Sequence, residues 1–167
     1  MSETDLIGYV LNCGLLTVPI LLWNVVLARF LPPALASNEF SRDIPRLVTY
    51  GESTLRIVVM VLPFLMPFDV ATVSQRNGLQ WFVAGTILYF LAWVPLMVAP
   101  QSRWSTSWLG FAAPAYTPIV WLTGLGLIGR KLYVPSPFSW WMYVWLACAF
   151  VILHVGHTSI VYARNYR

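Results

Sequence analysis

An acidic residue and a basic residue, Glu52 and Arg56, lie four positions apart in a segment that is otherwise apolar enough to cross a membrane. Residues at i and i+4 of a helix share one face, so the carboxylate and the guanidinium can contact each other. Charged side chains inside a membrane are costly and are candidates for a functional site by default. The pair therefore indicates either a binding or catalytic site, or a structural latch between helices that binds no ligand.

The charged pair needs further polar partners, because a guanidinium has five N–H donors and one carboxylate cannot accept from all of them. Neighbouring membrane helices alternate in direction, and each residue advances ~1.5 Å along its helix axis. On this basis four other polar residues are expected near the depth of the pair: Asn24, Tyr116, His154 and His157. Together with Glu52 and Arg56 they form the predicted ligand-binding site, which water or an anionic ligand would complete.

The two histidines lie three positions apart and point the same way from one predicted helix. As binding residues they would donate or accept hydrogen bonds beside Glu52. As catalytic residues they would shuttle protons for Glu52, which would be the proton donor. No metal and no cofactor are predicted, since two histidines and one acid are a small ligand set and adjacent turns of one helix cannot supply both axial ligands of a haem.

The composition determines the class of protein that must position these side chains. Of the 167 residues 59% are hydrophobic and 10% are charged, whereas a soluble domain has roughly a quarter charged residues. Four runs contain no Asp, Glu, Lys or Arg, and each exceeds the ~20 residues that a helix needs to cross a bilayer: Leu6–Ala28, Asn77–Ser102, Trp104–Ile128 and Leu132–Ala163. The chain is therefore predicted to be a multi-pass membrane protein.

The predicted fold is all-α, a bundle of five transmembrane helices forming one domain over residues 1–167. Proline residues and the turn signal Asn77-Gly78 divide the apolar runs. Pro32-Pro33 closes the first helix, and a loop is expected over Asp69–Gly78. The helices are expected at about residues 7–31, 46–66, 79–98, 107–129 and 138–163.

The basic residues occur at the ends of the predicted helices and form no clustered basic face, so a nucleic-acid partner is not expected. Five helices would place the chain termini on opposite sides of the membrane. One side would hold Arg76, Arg130 and Lys131. The other would hold a larger basic group: Arg29, Arg42, Arg46, Arg103, Arg164 and Arg167. The positive-inside rule then predicts an outward N-terminus and a cytoplasmic C-terminus.

Two apparent signatures do not assign a family. The run Gly124–Gly129 matches the letters of the dinucleotide-binding motif, but no strand precedes it and no helix start follows it, so close helix packing explains it better. Five predicted helices, the chain length and abundant tryptophan resemble the tryptophan-rich sensory protein (translocator) family. That family's closely spaced Trp and Pro residues in the first loop have no counterpart, because Leu31–Arg46 contains no Trp. No site residue is therefore transferred from it.

The leading functional hypothesis is an integral membrane protein whose polar-lined cavity binds a hydrophobic or amphipathic small molecule, or a membrane lipid. Arg56 would contact an anionic or carbonyl group, and Glu52 would orient Arg56. One alternative is a membrane-integral isomerase or cyclase acting on an isoprenoid or sterol-like lipid, with Glu52 as proton donor. A firm contact with Arg56 would argue against that role, because a neighbouring cation favours the ionised carboxylate.

A further alternative is a structural subunit of a larger membrane complex, which would be bound to a partner subunit, and an isolated monomer or homodimer would count against it. A homodimer is the other association considered for this chain. Small residues on the outside of a helix let another helix approach closely. This alternative predicts an outward-facing groove of small residues: Gly110, Ala112, Ala113, Gly124 and Gly126.

Overall fold

A computed structural model of the chain describes residues 10–31, 35 and 40–166. The secondary structure of these residues is helical and includes no strand. The α-helices are α1 (Val18–Leu27), α2 (Arg46–Val61), α3 (Val73–Val98), α4 (Trp108–Phe111), α5 (Ala113–Tyr116), α6 (Pro118–Ile128) and α7 (Trp140–Tyr166). Short 3₁₀ helices extend α1 at both ends and α2 at its end: Cys13–Thr17, Ala28–Phe30 and Leu62–Leu65.

In the part of the chain that the structure describes, four helical stretches are long and apolar enough to cross a membrane: Cys13–Phe30, Arg46–Leu65, Val73–Val98 and Trp140–Tyr166. They indicate an integral membrane protein, and they confirm the predicted all-α class for the described residues. The predicted helix over 107–129 is not continuous. It is broken into α4, α5 and α6, because Pro114 and Pro118 lie in the first turns of α5 and α6, where a proline ends the preceding hydrogen-bond ladder.

The start of α3 differs from the sequence prediction. It begins at Val73, so Asn77-Gly78 lies inside the helix and the loop predicted there ends earlier. The cause is a capping box, in which the Thr72 side chain accepts a hydrogen bond from the Gln75 backbone nitrogen at 3.3 Å and the Gln75 side chain accepts one from the Thr72 nitrogen at 3.0 Å. The predicted start of the first helix at residue 7, and Pro32-Pro33, lie outside the described residues.

The broken segment α4–α6 runs antiparallel along α3. At one end the Ser105 hydroxyl donates to the Pro95 carbonyl at 3.0 Å, and at the other end the Gln75 side-chain amide donates to the Ile128 carbonyl at 3.3 Å. Between them the two backbones approach closely at glycines. A Cβ added to Gly85 would lie 2.4 Å from the backbone nitrogen of Trp121, which is shorter than a carbon–nitrogen van der Waals contact.

Helices α2 and α7 also pack antiparallel, and a proline determines one of their contacts. Pro63 has no N–H to donate to the Val59 carbonyl one turn earlier. The buried Tyr143 hydroxyl on α7 donates to that carbonyl instead, at 2.9 Å. With Val59 placed opposite Tyr143, the first half of α2 lies against the second half of α7. This arrangement places Glu52 beside His154 and His157.

The outward-facing groove of small residues that was predicted for a structural subunit is not formed. These residues are buried within the bundle, with Ala112 at 0% and Ala113 at 4% exposure. A Cβ added to Gly124 would meet the backbone of Phe82, and one added to Gly126 would meet Val144 and Tyr143. The small residues therefore serve internal packing among α3, α6 and α7.

Gly85→Ala is expected to destabilise the fold, because the added methyl group would overlap the Trp121 backbone and overpacking of this kind costs ~1–3 kcal/mol. Gly156→Ala on α7 is the matched control, since a Cβ there meets nothing within 4 Å and alanine favours a helix over glycine by roughly 0.5–1 kcal/mol. Thermal unfolding in detergent should give a lower midpoint for Gly85→Ala and an equal or higher one for Gly156→Ala. Equal midpoints for the two variants would contradict this packing.

Candidate functional site

The carboxyl group of Glu52 lies inside the protein, with only 2% of the residue exposed. Its Oε1 oxygen contacts the Nη2 of Arg56, one turn further along α2, and the Nδ1 of His154 at 3.0 Å. Its Oε2 oxygen contacts the Nδ1 of His157 at 2.5 Å. Both carboxyl oxygens are thus used by side chains of α2 and α7, which satisfies the hydrogen-bonding requirement of a buried acid.

The ring of His157 has a polar partner on each nitrogen. While Nδ1 contacts Glu52, Nε2 lies 2.9 Å from the backbone carbonyl oxygen of Phe40, in the segment before α2. The Phe40 ring also stacks on the imidazole, with 4.2 Å between ring centroids and 23° between planes. His157 therefore joins three separate parts of the chain, and only 5% of its side chain is exposed.

His154 and Arg56 share an aromatic neighbour. The Phe150 ring stacks on His154 with centroids 5.5 Å apart and an angle of 10°, and the Arg56 guanidinium carbon lies 6.0 Å from the centre of the same ring. Such a position over an aromatic face attracts a cation. Phe150 thus positions both groups that contact the Glu52 Oε1 oxygen.

A cavity of about 390 Å³ lies on one side of this cluster; it is called the aromatic cavity below. Arg56 and His154 form part of its wall beside Asn24 of α1. Each of the helices α1 to α7 contributes to the remaining wall, which is mainly apolar. Its larger side chains include Ile20, Met60, Tyr89, Trp93, Trp121 and Phe150. The indole N–H of Trp121 is buried and has no hydrogen-bond partner within the described part of the chain. The cavity therefore combines a mainly apolar wall with the guanidinium group of Arg56, whose side chain is half exposed.

A second cavity of about 400 Å³ borders the cluster and shares Leu35, Phe40 and Arg56 with the first; it is called the polar cavity below. Glu52 and His157 line it together with the hydroxyl-bearing residues Thr49 and Ser53. Arg56 contributes to both cavities, and half of its side chain is exposed. The cluster thus contributes to both cavities, with His154 lining the aromatic cavity and Glu52 and His157 lining the polar cavity.

Five of the six residues proposed from the sequence lie at this site, and Tyr116 does not. Asn24 accepts a hydrogen bond from the Tyr89 hydroxyl at 2.5 Å in the wall of the aromatic cavity. Tyr116 lines neither cavity. Its hydroxyl donates to the carbonyl of Leu109 in α4 at 3.1 Å. The assignment of Tyr116 to the ligand site therefore has no structural support.

Sequence reasoning overlooked several residues of the site. Phe150 and Thr158 lie one turn before and after His154, so helical spacing alone would have found them. Tyr89 lies near the middle of α3, where a buried hydroxyl needs a partner. Phe40 offered no such signal, because a backbone carbonyl in a connecting segment has no mark in the sequence.

No metal site follows from this geometry. No group of three or more His, Cys, Asp and Glu side chains within residues 10–31, 35 and 40–166 is arranged to hold a metal ion. The nitrogens of His157 and the Nδ1 of His154 already face Glu52 or the Phe40 carbonyl. The chemistry available is hydrogen bonding, electrostatic attraction of an anion and proton transfer.

Comparisons with known proteins add no assignment. No protein-family model, no curated protein and no solved structure matches this chain. Functional inference consequently depends on the site itself.

Replacing Glu52 should lower stability in proportion to the hydrogen bonds lost. Glu52→Leu leaves Arg56 and both histidines without the Glu52 carboxyl group, and for the buried His157 alone an unmet hydrogen bond costs ~1–3 kcal/mol. Glu52→Gln keeps an acceptor for Arg56 and His154. This variant should therefore lose less stability than Glu52→Leu. Thermal unfolding midpoints in detergent should fall in the order native, Glu52→Gln, Glu52→Leu.

Asp43→Asn is the control for loss of a carboxylate, since the Asp43 side chain is 81% exposed and exposed charge pairs contribute little. Its midpoint should equal that of the native chain. If Glu52→Leu unfolds no earlier than Asp43→Asn, the buried cluster does not stabilise the bundle.

Proposed function

We propose that this protein binds a hydrophobic or amphipathic small molecule within the membrane, with the apolar part in the aromatic cavity and the polar head against Arg56. The observation that carries this proposal is the position of Arg56, a cation in the wall of an otherwise mainly apolar cavity. A membrane lipid or a free amphiphile of similar chemistry would meet both requirements. The roles of the individual residues follow from their contacts.

The aromatic cavity has the size and lining of a small-molecule site. Ligand pockets of ~300–1,000 Å³ are typical, with apolar walls and a few polar groups that orient the ligand, and this cavity has a volume of about 390 Å³. Trp121 and Phe150 would cover an alkyl or isoprenoid chain. Asn24, fixed by Tyr89, would give a second polar contact along the wall.

Arg56 is the residue proposed to select the head group. Within the described residues its side-chain contacts are the hydrogen bond from Nη2 to Glu52 and the approach to the Phe150 ring. The remaining guanidinium donors are free to bind a carboxylate, sulfonate or phosphate oxygen, for which the planar fork is well suited. Glu52 would orient Arg56 and keep it in place when no ligand is bound.

The isomerase or cyclase alternative gains no support from this arrangement. A proton donor for a lipid in the aromatic cavity should face that cavity, whereas Glu52 lines the polar cavity and contacts Arg56, His154 and His157. The structural-subunit alternative loses its predicted groove of small residues, which is buried. Binding of an amphiphile is therefore the function that we propose over these two alternatives.

A fifth membrane crossing by the segment α4–α6 belongs to this proposal. The segment packs along α3 from Pro95 to Gln75. At ~1.5 Å per residue this part of α3 is roughly 30 Å long, which matches the thickness of the hydrocarbon core. Broken backbone at membrane depth is tolerated where protein covers it, and most of α6 is buried. Five crossings together with the distribution of basic residues would place the C-terminus in the cytoplasm and the N-terminus outside.

The accessibility of single introduced cysteines tests this topology, in a chain whose native Cys13 and Cys148 are replaced by alanine. Arg103→Cys and Asn165→Cys should react with a membrane-impermeant maleimide from the cytoplasmic side, and Arg130→Cys from the opposite side. The reactions are measured on intact cells and on inverted vesicles. Labelling of Arg103→Cys and Arg130→Cys from the same side would contradict a crossing by α4–α6.

Filling the aromatic cavity tests the binding site directly. Met60→Trp puts an indole into the cavity wall, so it should weaken binding of decanesulfonate and decanol at least tenfold. Val61→Trp is the matched control, because Val61 is 54% exposed and does not line the cavity. Binding is measured as ligand-dependent thermal stabilisation in lipid nanodiscs, which grows with ligand concentration relative to Kd.

The expected result is strong stabilisation of the native chain and of Val61→Trp, and little or none of Met60→Trp. Equal stabilisation of all three proteins would place amphiphile binding outside the aromatic cavity. No stabilisation of the native chain by either compound would overturn the proposed function.

A further inference from the structure

The contacts of His157 set the number of protons in the cluster. A backbone carbonyl can only accept a hydrogen bond, so the Nε2 nitrogen facing the Phe40 carbonyl at 2.9 Å carries a hydrogen. At the other nitrogen, Nδ1 faces the Glu52 Oε2 oxygen at 2.5 Å, a contact that requires one hydrogen between the two atoms. Either the imidazole is doubly protonated beside a carboxylate, or a neutral imidazole accepts from a carboxylic acid. In both cases the Glu52–His157 pair holds one shared proton.

While the shared proton is bound, the cluster has a net charge of +1. The Glu52 carboxylate and the shared proton cancel, and the Arg56 guanidinium remains. The ionisable groups that face Glu52 are Arg56 from α2 and His154 and His157 from α7. Helix α3 adds the phenol of Tyr89 to the aromatic cavity, and the described parts of α1, α4, α5 and α6 that line it contribute no ionisable side chain. Charges in a membrane interior are almost always paired or face a wet cavity, and an anionic head group in the aromatic cavity would pair this one.

We propose that the protein binds a monoanionic amphiphile and one proton together, the anionic head at Arg56 and the proton between Glu52 and His157. This inference depends on the proposed function and adds the charge of the ligand and the requirement for a proton. With both bound, the four charges sum to zero. When the proton leaves, Nδ1 and Oε2 face each other as two acceptors, so their contact must open, and Glu52 alone neutralises Arg56.

The linkage predicts that affinity for an anion depends on pH. If one proton is taken up with each anion, Kd should rise tenfold per pH unit once the unliganded pair has lost its proton. Decanesulfonate is a suitable probe, because a sulfonate remains an anion across the accessible range and cannot itself take up the proton. Binding is measured by isothermal titration calorimetry in lipid nanodiscs between pH 5 and pH 9. Comparing the heat in two buffers of different ionisation enthalpy gives the number of protons taken up, and empty nanodiscs serve as the blank.

The native chain should take up close to one proton per decanesulfonate on the alkaline side of this range, and none on the acidic side. Glu52→Gln should bind decanesulfonate without proton uptake and with a pH-independent Kd, because its amide N–H can donate permanently to His157. Tyr116→Phe, which alters a hydroxyl outside both cavities, should behave as the native chain. Decanol, which has no charge, should bind without proton uptake.

Each contrary result identifies the step that fails. If the native chain binds decanesulfonate with a Kd that does not depend on pH, and without proton uptake, the coupling between anion and proton binding is overturned. Amphiphile binding itself would remain. Proton uptake that persists in Glu52→Gln would overturn the assignment of the proton to this pair. Proton uptake with decanol equal to that with decanesulfonate would overturn the requirement for an anion. Absence of binding by both compounds would overturn the proposed function itself.

Discussion

The buried carboxyl group of Glu52 is the constraint on which the arrangement around it depends. An acid removed from water must have each oxygen in a hydrogen bond, and here the partners are Arg56 on its own helix and two histidines on α7. This requirement fixes the rotation and the register of α2 against α7. It also determines where Arg56 lies, and through Arg56 it determines the polar end of the aromatic cavity. Phe40, which accepts from His157, connects the segment before α2 to the same cluster.

Proline and glycine residues produce the space beside that cluster. Pro114 and Pro118 break the segment α4–α6, and Gly85 allows α3 to approach it at backbone distance. The breaks place Pro114, Ala115 and Pro118 in the wall of the aromatic cavity, where large side chains would occupy the space. Pro63 acts differently, because the carbonyl it leaves free accepts from Tyr143 and so ties α2 to α7. Residues that weaken an isolated helix thus form both the cavity and its support.

Most of the site prediction depends on the spacing of residues along single helices. Glu52 and Arg56 at i and i+4, and His154 and His157 at i and i+3, lie where helical periodicity puts them. The prediction was wrong for the start of α3, although the signal for it is local. The start of α3 depends on the capping box between Thr72 and Gln75, a Thr-x-x-Gln pattern that precedes the turn signal Asn77-Gly78 in the sequence. For Tyr116, the structure shows a hydrogen bond to the Leu109 carbonyl and a position outside the lining of both cavities. The Phe40 carbonyl is a backbone group, which residue type cannot reveal.

The most direct test of this account is the distance from the Glu52 side-chain carbon to the histidine nitrogens, measured by ¹³C–¹⁵N dipolar recoupling in a lipid bilayer. The chain has only two histidines, so histidine labelling observes the two relevant rings alone. With Nδ1–oxygen distances of 3.0 Å for His154 and 2.5 Å for His157, the account predicts strong coupling of Glu52 to both. Absence of coupling to either ring would show that the carboxyl group turns away from α7, and the cluster would not exist.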